Sequence, residues 1–219
     1  MYKLDPQAAI DSDKFTQYLD KSGKYTGKFT RAEKLVSKNK GSHGIGFTFE
    51  SDDGGTTRFD IWTLDAAEKP MMGYKTLQAI MTCLSLKGLS ESVGTVDRYD
   101  FDTKKTSKVQ APIFADLMNA PIGLVLRNTE YEKMRDGHGT GQYAWRLELV
   151  CPYRAADNFT ASEILTRKTK AEKLDAVMAT LADRPLRDKR PAAAHAAQHM
   201  PEPAHFDSGA GFADDGYPF

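Results

Sequence analysis

The residues able to do chemistry in this 219-residue chain do not form a catalytic set. Gly41-Ser-His-Gly-Ile-Gly has a phosphate-loop flavour, but it leads into a strand pattern and does not open a helix, so it reads as a turn. His138 sits between glycines with no sequence-local partner that would make it a base. Asp97, Asp100 and Asp102 lack the turn glycine and closing glutamate of a calcium loop, so no metal or other cofactor is implied. Cys83 and Cys151 have neither zinc nor disulfide-framework spacing and read as two reduced thiols. No hydrolase, metalloprotease or kinase signature occurs, and the chain reads as a non-enzyme.

What the sequence does offer is cations interleaved with aromatic rings. The groups are Lys28, Arg31, Lys34, Lys38 and Lys40; Arg58 and Trp62; Tyr74 and Lys75; Arg98, Tyr99, Phe101, Lys104 and Lys105; Arg146; and Tyr153 with Arg154. Single-stranded nucleic acid asks for this mixture. Each base presents a face on which a ring stacks, worth about 1–3 kcal/mol, and each phosphate presents a charge whose neutralisation releases counterions. A β core also needs aromatics. Phe47, Phe49 and Phe59 alternate as core residues do, and Phe29, Tyr143 and Trp145 are assigned to the core with them. Trp62 shares its strand face with Arg58 and Asp60, which leaves stacking and packing equally open for it.

The elements that must position these residues are mostly strands. Alternation marks 24–36, with Tyr25, Gly27, Phe29 and Arg31 on one face. It marks 43–50 more strongly. Asp52-Asp53-Gly54-Gly55 then turns the chain into a strand over 56–64. Leu77, Ile80, Met81 and Leu84 fall at helical spacing and predict a helix over 74–86. Residues 96–101 read as extended and 113–118 as a short helix. Strands follow at 122–127 and 142–153, joined by a glycine-rich loop. Five strands with a helix between the third and fourth is the order of an OB-like barrel, so the expected fold is mainly β with residues 1–159 as its domain. Thr160 and Glu163 form a capping box that opens a single amphipathic helix expected over 161–182, within a C-terminal region 160–184.

Composition bounds the rest. Hydrophobic residues make up 40% and charged residues 27%, enough for one core. No apolar run approaches the roughly 18 residues of a membrane span, and no secretory leader is visible. All 30 Lys and Arg lie within residues 1–190 against 26 of the 30 Asp and Glu, so this body is net +4 and the last 29 residues are acidic. Residues 185–219 hold five of the ten prolines with a single leucine and no isoleucine or valine, the composition of a disordered linker.

The chain closes on Phe212, Asp214, Asp215, Tyr217, Pro218 and Phe219. This ending resembles the acidic C-terminal tip of bacterial single-stranded DNA-binding proteins, with Gly216 and Tyr217 departing from the usual aspartate and isoleucine. The body more nearly resembles phage-encoded single-stranded DNA-binding proteins of the OB-fold group. The resemblance covers about residues 23–163, on Gly27, Ala32-Glu33, Gly41-Ser42-His43-Gly44-Ile45, Asp53-Gly54, Trp62-Thr63, Thr160 and Glu163, in that order.

The resemblance implies sequence-independent binding and protection of single-stranded DNA in phage replication and recombination, with no cofactor. The six tip residues would recruit replication or recombination proteins. The setting would be cytoplasmic, that of the host cell for a phage protein. It does not fix which residues touch DNA. A homo-oligomer stays open, and the alternative reading is a strand-annealing recombination factor that forms rings or filaments through the 161–182 helix.

Overall fold

The computed structural model describes residues 17–100, 105–135 and 138–186, with Leu4 and Pro6 as isolated positions; at Tyr99, Asp100 and Lys105 it describes the backbone alone. The disordered-linker reading from 187 onward, the C-terminal tip, Phe101 and Lys104 lie outside the described residues.

The fold is mainly β, a sheet curled into a half-barrel. Its strands are β1 (Gln17–Tyr18), β2 (Gly23–Val36), β3 (His43–Ser51), β4 (Gly55–Leu64), β5 (Ser92–Asp100), β6 (Lys105–Ile113), β7 (Pro121–Arg135) and β8 (His138–Tyr153). Helix α1 (Met72–Cys83) lies between β4 and β5, a 3-10 turn (Ala115–Leu117) precedes β7, and α2 (Ala161–Leu165) and α3 (Lys173–Ala179) follow β8.

Long β2 is the centre. It pairs along its length with β3, through Gly23–Lys28 with β7, and at Glu33 with Ile113 of β6. β4 continues the sheet beyond β3, and β8 continues it beyond β7 and comes back against β4. Two hairpins extend this frame. One is β5–β6, where the sequence predicts only an extended segment and a short helix. The other is β7–β8, which runs well past the expected start at 142.

A β-bulge at Thr30 decides what faces where. Phe29 pairs with Phe49 and Arg31 with Thr48, so Thr30 is the extra residue and the alternation resets after it. Phe29 and Ala32 therefore both face inward, while Arg31 turns out. Simple alternation places Arg31 on the Phe29 face, and the bulge corrects that.

Inside, Phe29 lies 4.6 Å from Phe47 by ring centroids, and Phe47 stacks on Phe59 at 5.6 Å. Ile45 and Ile61, the helix residues Leu77 and Ile80, and Ile122, Leu124 and Leu126 of β7 complete the same core. Helix α1 starts two residues earlier than its spacing suggests and stops at Cys83, because Ser85 takes a left-handed backbone (φ 59°) and the Leu86 N–H turns back to the Met81 carbonyl. Cys83 and Cys151 are free, and burial pushes both thiols up, Cys83 to about 12.

The single helix expected over 161–182 is not formed. The chain breaks into α2 and α3, with Arg167 in the left-handed region (φ 52°) between them. The cause is Glu163, whose carboxylate is buried at 6% exposure. One oxygen accepts from the Thr160 N–H (2.9 Å), the capping-box bond, and also from the Thr160 hydroxyl (2.7 Å). The other accepts from the N–H groups of Glu172 and Lys173, each at 2.8 Å, which starts α3. One side chain thus serves two helix starts, which a continuous helix could not allow. After α3 the chain runs extended. Arg184 donates its N–H to the Asn128 carbonyl and accepts from the Glu130 N–H, filling the edge of β7 beyond the point where β2 ends. Among the described residues no helix is long and apolar enough to cross a membrane.

Burial pushes the Glu163 carboxyl up, but the N–H groups of Lys173, Thr160 and Glu172 with the Thr160 hydroxyl outweigh it and bring the group down to about 2 from an ordinary 4.5. A depressed folded-state value stabilises fully above the unfolded value and ceases to as pH falls through the folded one. Glu163→Gln is therefore expected to cost about 1–3 kcal/mol near neutrality by leaving buried donors poorly satisfied. Urea midpoints of the two proteins should converge between pH 4.5 and about 2. A gap that persists undiminished at pH 2 would show that the carboxylate charge is not what joins the two helices.

Candidate nucleic-acid interface

Cross-strand pairing places side chains in rows on the outer face of β2, β3 and β4. Lys28 stands with Glu50 and Thr56, Arg31 with Thr48 and Arg58, Glu33 with Gly46 and Asp60, and Leu35 with Gly44 and Trp62. Partners in a ladder share a face, so Lys28, Arg31, Arg58 and Trp62 are brought together by register alone.

The floor of this face is β3, and it is low because β3 alternates small residues outward. A Cβ on Gly44 would come within 2.9 Å of the Trp62 ring and 2.8 Å of the Ile61 carbonyl oxygen. Glycine therefore lets the indole lie across the neighbouring strand, half-buried. The indole is thus backed by the β3 backbone and stays partly accessible. Helix α1 begins beside it, with Tyr74 and Lys75 exposed in the first turn and Gly73 close against the Trp62 carbonyl. Lys38 and Lys40 are exposed in the β2–β3 turn that follows Val36.

The β5–β6 hairpin stands over the Arg31 and Glu33 rows. Between it and the sheet is a cleft of about 210 Å3, lined by Thr30, Arg31, Thr48 and Arg58 from the sheet, Thr95, Val96 and Asp97 from β5, Ile113 from the end of β6, and Met118 beyond it. Glu33, fully buried, anchors the two sides. Its Oε2 accepts from Nε of Arg31 at 2.9 Å and from an Nη of the same group, and its Oε1 accepts from Arg98 of the hairpin. Burial raises the Glu33 carboxyl, and the hydrogen bonds from Arg98 and Arg31 more than reverse this, so it stays ionised below its ordinary range.

Other predicted contact residues are not part of this arrangement. Lys34 falls on the inward side of the bulged strand, at its end, and pairs with Glu91 at 2.6 Å. Arg146 sits on the β7–β8 arm, bonded to Glu148 at 2.9 Å and 5.1 Å from the Tyr131 ring centroid. Arg154 is held by Asp157 in the turn after β8, near the Phe159 ring. Tyr153 is a correction. Its ring is fully buried against Gly123, where a Cβ would come within 2.0 Å of it, and its hydroxyl donates to the Tyr25 carbonyl at 3.0 Å. A base cannot reach it. Burial also pushes that hydroxyl up to about 12. Tyr99 pairs with Thr106 and Lys105 with Asp100, close to the tip of the hairpin.

Two further residues differ from the sequence reading. Trp145, assigned to the core, is 43% exposed on β8, because that strand continues past the core into the arm; Tyr143 is half-buried there, and Phe29 is in the core as expected. Glu33 is a site residue that sequence reasoning missed. The signal for it was a carboxylate two residues from an arginine in an apolar strand, same-sided by alternation, and the bulge before them turns both outward. Among the described residues no cluster of His, Cys, Asp and Glu is arranged to hold a metal ion. Compared with known protein families and with curated proteins, the chain gives no match.

Proposed function

We propose that this protein binds single-stranded DNA without sequence preference, along the outer face of β2–β3–β4 and the cleft under the β5–β6 hairpin. The observation that carries the reading is the register-built row of Arg31, Thr48 and Arg58 on the same sheet face as the glycine-supported Trp62, which stands two rows on. It supplies guanidinium donors for phosphates and an aromatic platform for a base on one surface. The strand order β4–β3–β2–β7–β8, with α1 between β4 and β7, supports reading the half-barrel as an OB-type fold with β5–β6 inserted after the helix. That face of an OB barrel and its loops commonly take oligonucleotides.

Recruitment of replication or recombination proteins by the C-terminal tip belongs to the same reading and rests on the sequence resemblance, as does a phage setting. The annealing-factor alternative drew on one long helix at 161–182 for assembly; with that helix split around Glu163, it loses its structural support.

Fluorescence anisotropy of labelled oligo-dT, titrated at several salt concentrations with duplex DNA as competitor, tests the reading. Tight binding that weakens with salt and resists duplex competition is expected. Arg58→Ala should flatten the log K against log salt slope by about 0.7, the value for one phosphate on a single strand. Trp62→Ala should lose about 1–3 kcal/mol with the slope unchanged. Absence of binding at low salt would overturn the proposal.

A further inference from the structure

Asp97 lines the cleft, and beside it Glu33 is a fully buried carboxylate that a strand-binding surface does not call for. A buried carboxylate beside the arginines subtracts charge where a polyanion is to sit. Its two oxygens are shared unequally. Arg31 lies two residues away on the same strand, its side chain 24% exposed, and puts two bonds on Oε2. Arg98 arrives from the hairpin, 57% exposed, and puts one bond on Oε1. Among the described residues, the hairpin's ladder pairing to the rest of the sheet is the single step Glu33–Ile113, extended by the Phe114 N–H to the Ala32 carbonyl. The hairpin thus joins the sheet at Glu33 twice, beside the cleft: through the ladder step at its backbone and through Arg98 at its side chain.

We infer that Glu33 is an internal counter-ion that positions Arg98 for a DNA phosphate: a phosphodiester entering the cleft takes Arg98 from Oε1, while Arg31 stays on Oε2 and keeps the buried carboxylate paired. This deepens the single-strand reading and rests on it. Carboxylate and phosphodiester are both monoanions that accept from a guanidinium, so the exchange swaps like for like. The step releases the half-exposed arginine with one bond and spares the more buried one with two. It leaves no uncompensated buried charge, which would make the exchange prohibitive. Glu33 is a positioning residue here: it holds Arg98 over the cleft and raises the threshold that an incoming anion must exceed.

The test uses the full chain and labelled oligo-dT, with wild type, Glu33→Gln, Arg98→Ala and the double variant compared across salt. Glu33→Gln, still folded by circular dichroism, should bind about three- to tenfold tighter, because Arg98 no longer has to leave a carboxylate. Its salt slope should match that of wild type, since Arg98 engages the same phosphate in both. Arg98→Ala should bind more weakly with a shallower slope and should cancel the gain in the double variant. A merely structural Glu33 would shift the unfolding midpoint and leave the affinity of the folded variant alone. Wild-type affinity in folded Glu33→Gln overturns the inference and leaves the single-strand reading standing. No binding of oligo-dT by wild type at low salt overturns both. Should Glu33→Gln not fold, Glu33→Asp takes its place, since it keeps the charge but withdraws it by one methylene from Arg98; tighter binding supports the inference and wild-type behaviour overturns it.

Discussion

Strand β2 bears the architecture, and a single extra residue in it sets both the core and the candidate site. It pairs with β3, β6 and β7, so its facing pattern propagates to all of them. Without the bulge at Thr30, strict alternation from Phe29 would send Arg31 and Glu33 inward and leave Ala32 outside. Two charges would then enter a core that Phe29, Phe47, Phe49 and Phe59 fill by ring contacts. Desolvating an unpaired charge costs several kcal/mol, far more than a bulge. The bulge keeps Phe29 and Ala32 inside and delivers Arg31 and Glu33 to the outer face in one step. The same reset bends β2, which lets its first half join β7 and its second half meet β6.

Glu33 and Glu163 are two answers to one problem, a carboxylate removed from water. Each is ionised because donors from distinct segments converge on it: guanidiniums from β2 and β5 on Glu33, main-chain N–H groups from two helix starts on Glu163. The donor type separates their roles. Main-chain donors are fixed by the fold and have no other partner to go to, so Glu163 is a joint. Side-chain guanidiniums are mobile and can be claimed by another anion, so Glu33 is a contact that a ligand can compete for.

Much of this was legible in the sequence. Alternation gave β3 and β4 nearly to the residue, the Asp-Asp-Gly-Gly turn gave their hairpin, and helical spacing gave α1 within two or three residues. Those signals are local. What was not legible depends on pairing. The bulge at Thr30 is visible only once β3 is laid beside β2. The split of the last helix depends on what the second oxygen of Glu163 reaches, nine residues on. Tyr153 and Trp145 exchanged places, the former buried and the latter exposed, because both lie in an alternating β8 whose inner half is in the core and whose outer half is an arm. Of the predicted contacts, Lys28, Arg31, Arg58, Trp62 and Arg98 come together, and they do so through register and one ion pair that no spacing rule encodes.

Net charge is a poor guide to what this face attracts. Lys28, Arg31, Arg58 and Arg98 stand among Glu33, Glu50, Asp60 and Asp97, so the surface is locally balanced much as the whole chain is. Beyond a Debye length of about 8–10 Å such a surface exerts little pull on a rigid polyanion. Affinity on the proposed reading must therefore come from close range, from directed guanidinium bonds and from stacking on Trp62. A duplex keeps its base faces within its own stack and offers the surface only its backbone. A single strand can turn a base onto the indole and lead its phosphates past Arg58 and Arg31. On that reading, a balanced face with one supported aromatic favours the single strand by withholding the long-range attraction that would serve both forms equally.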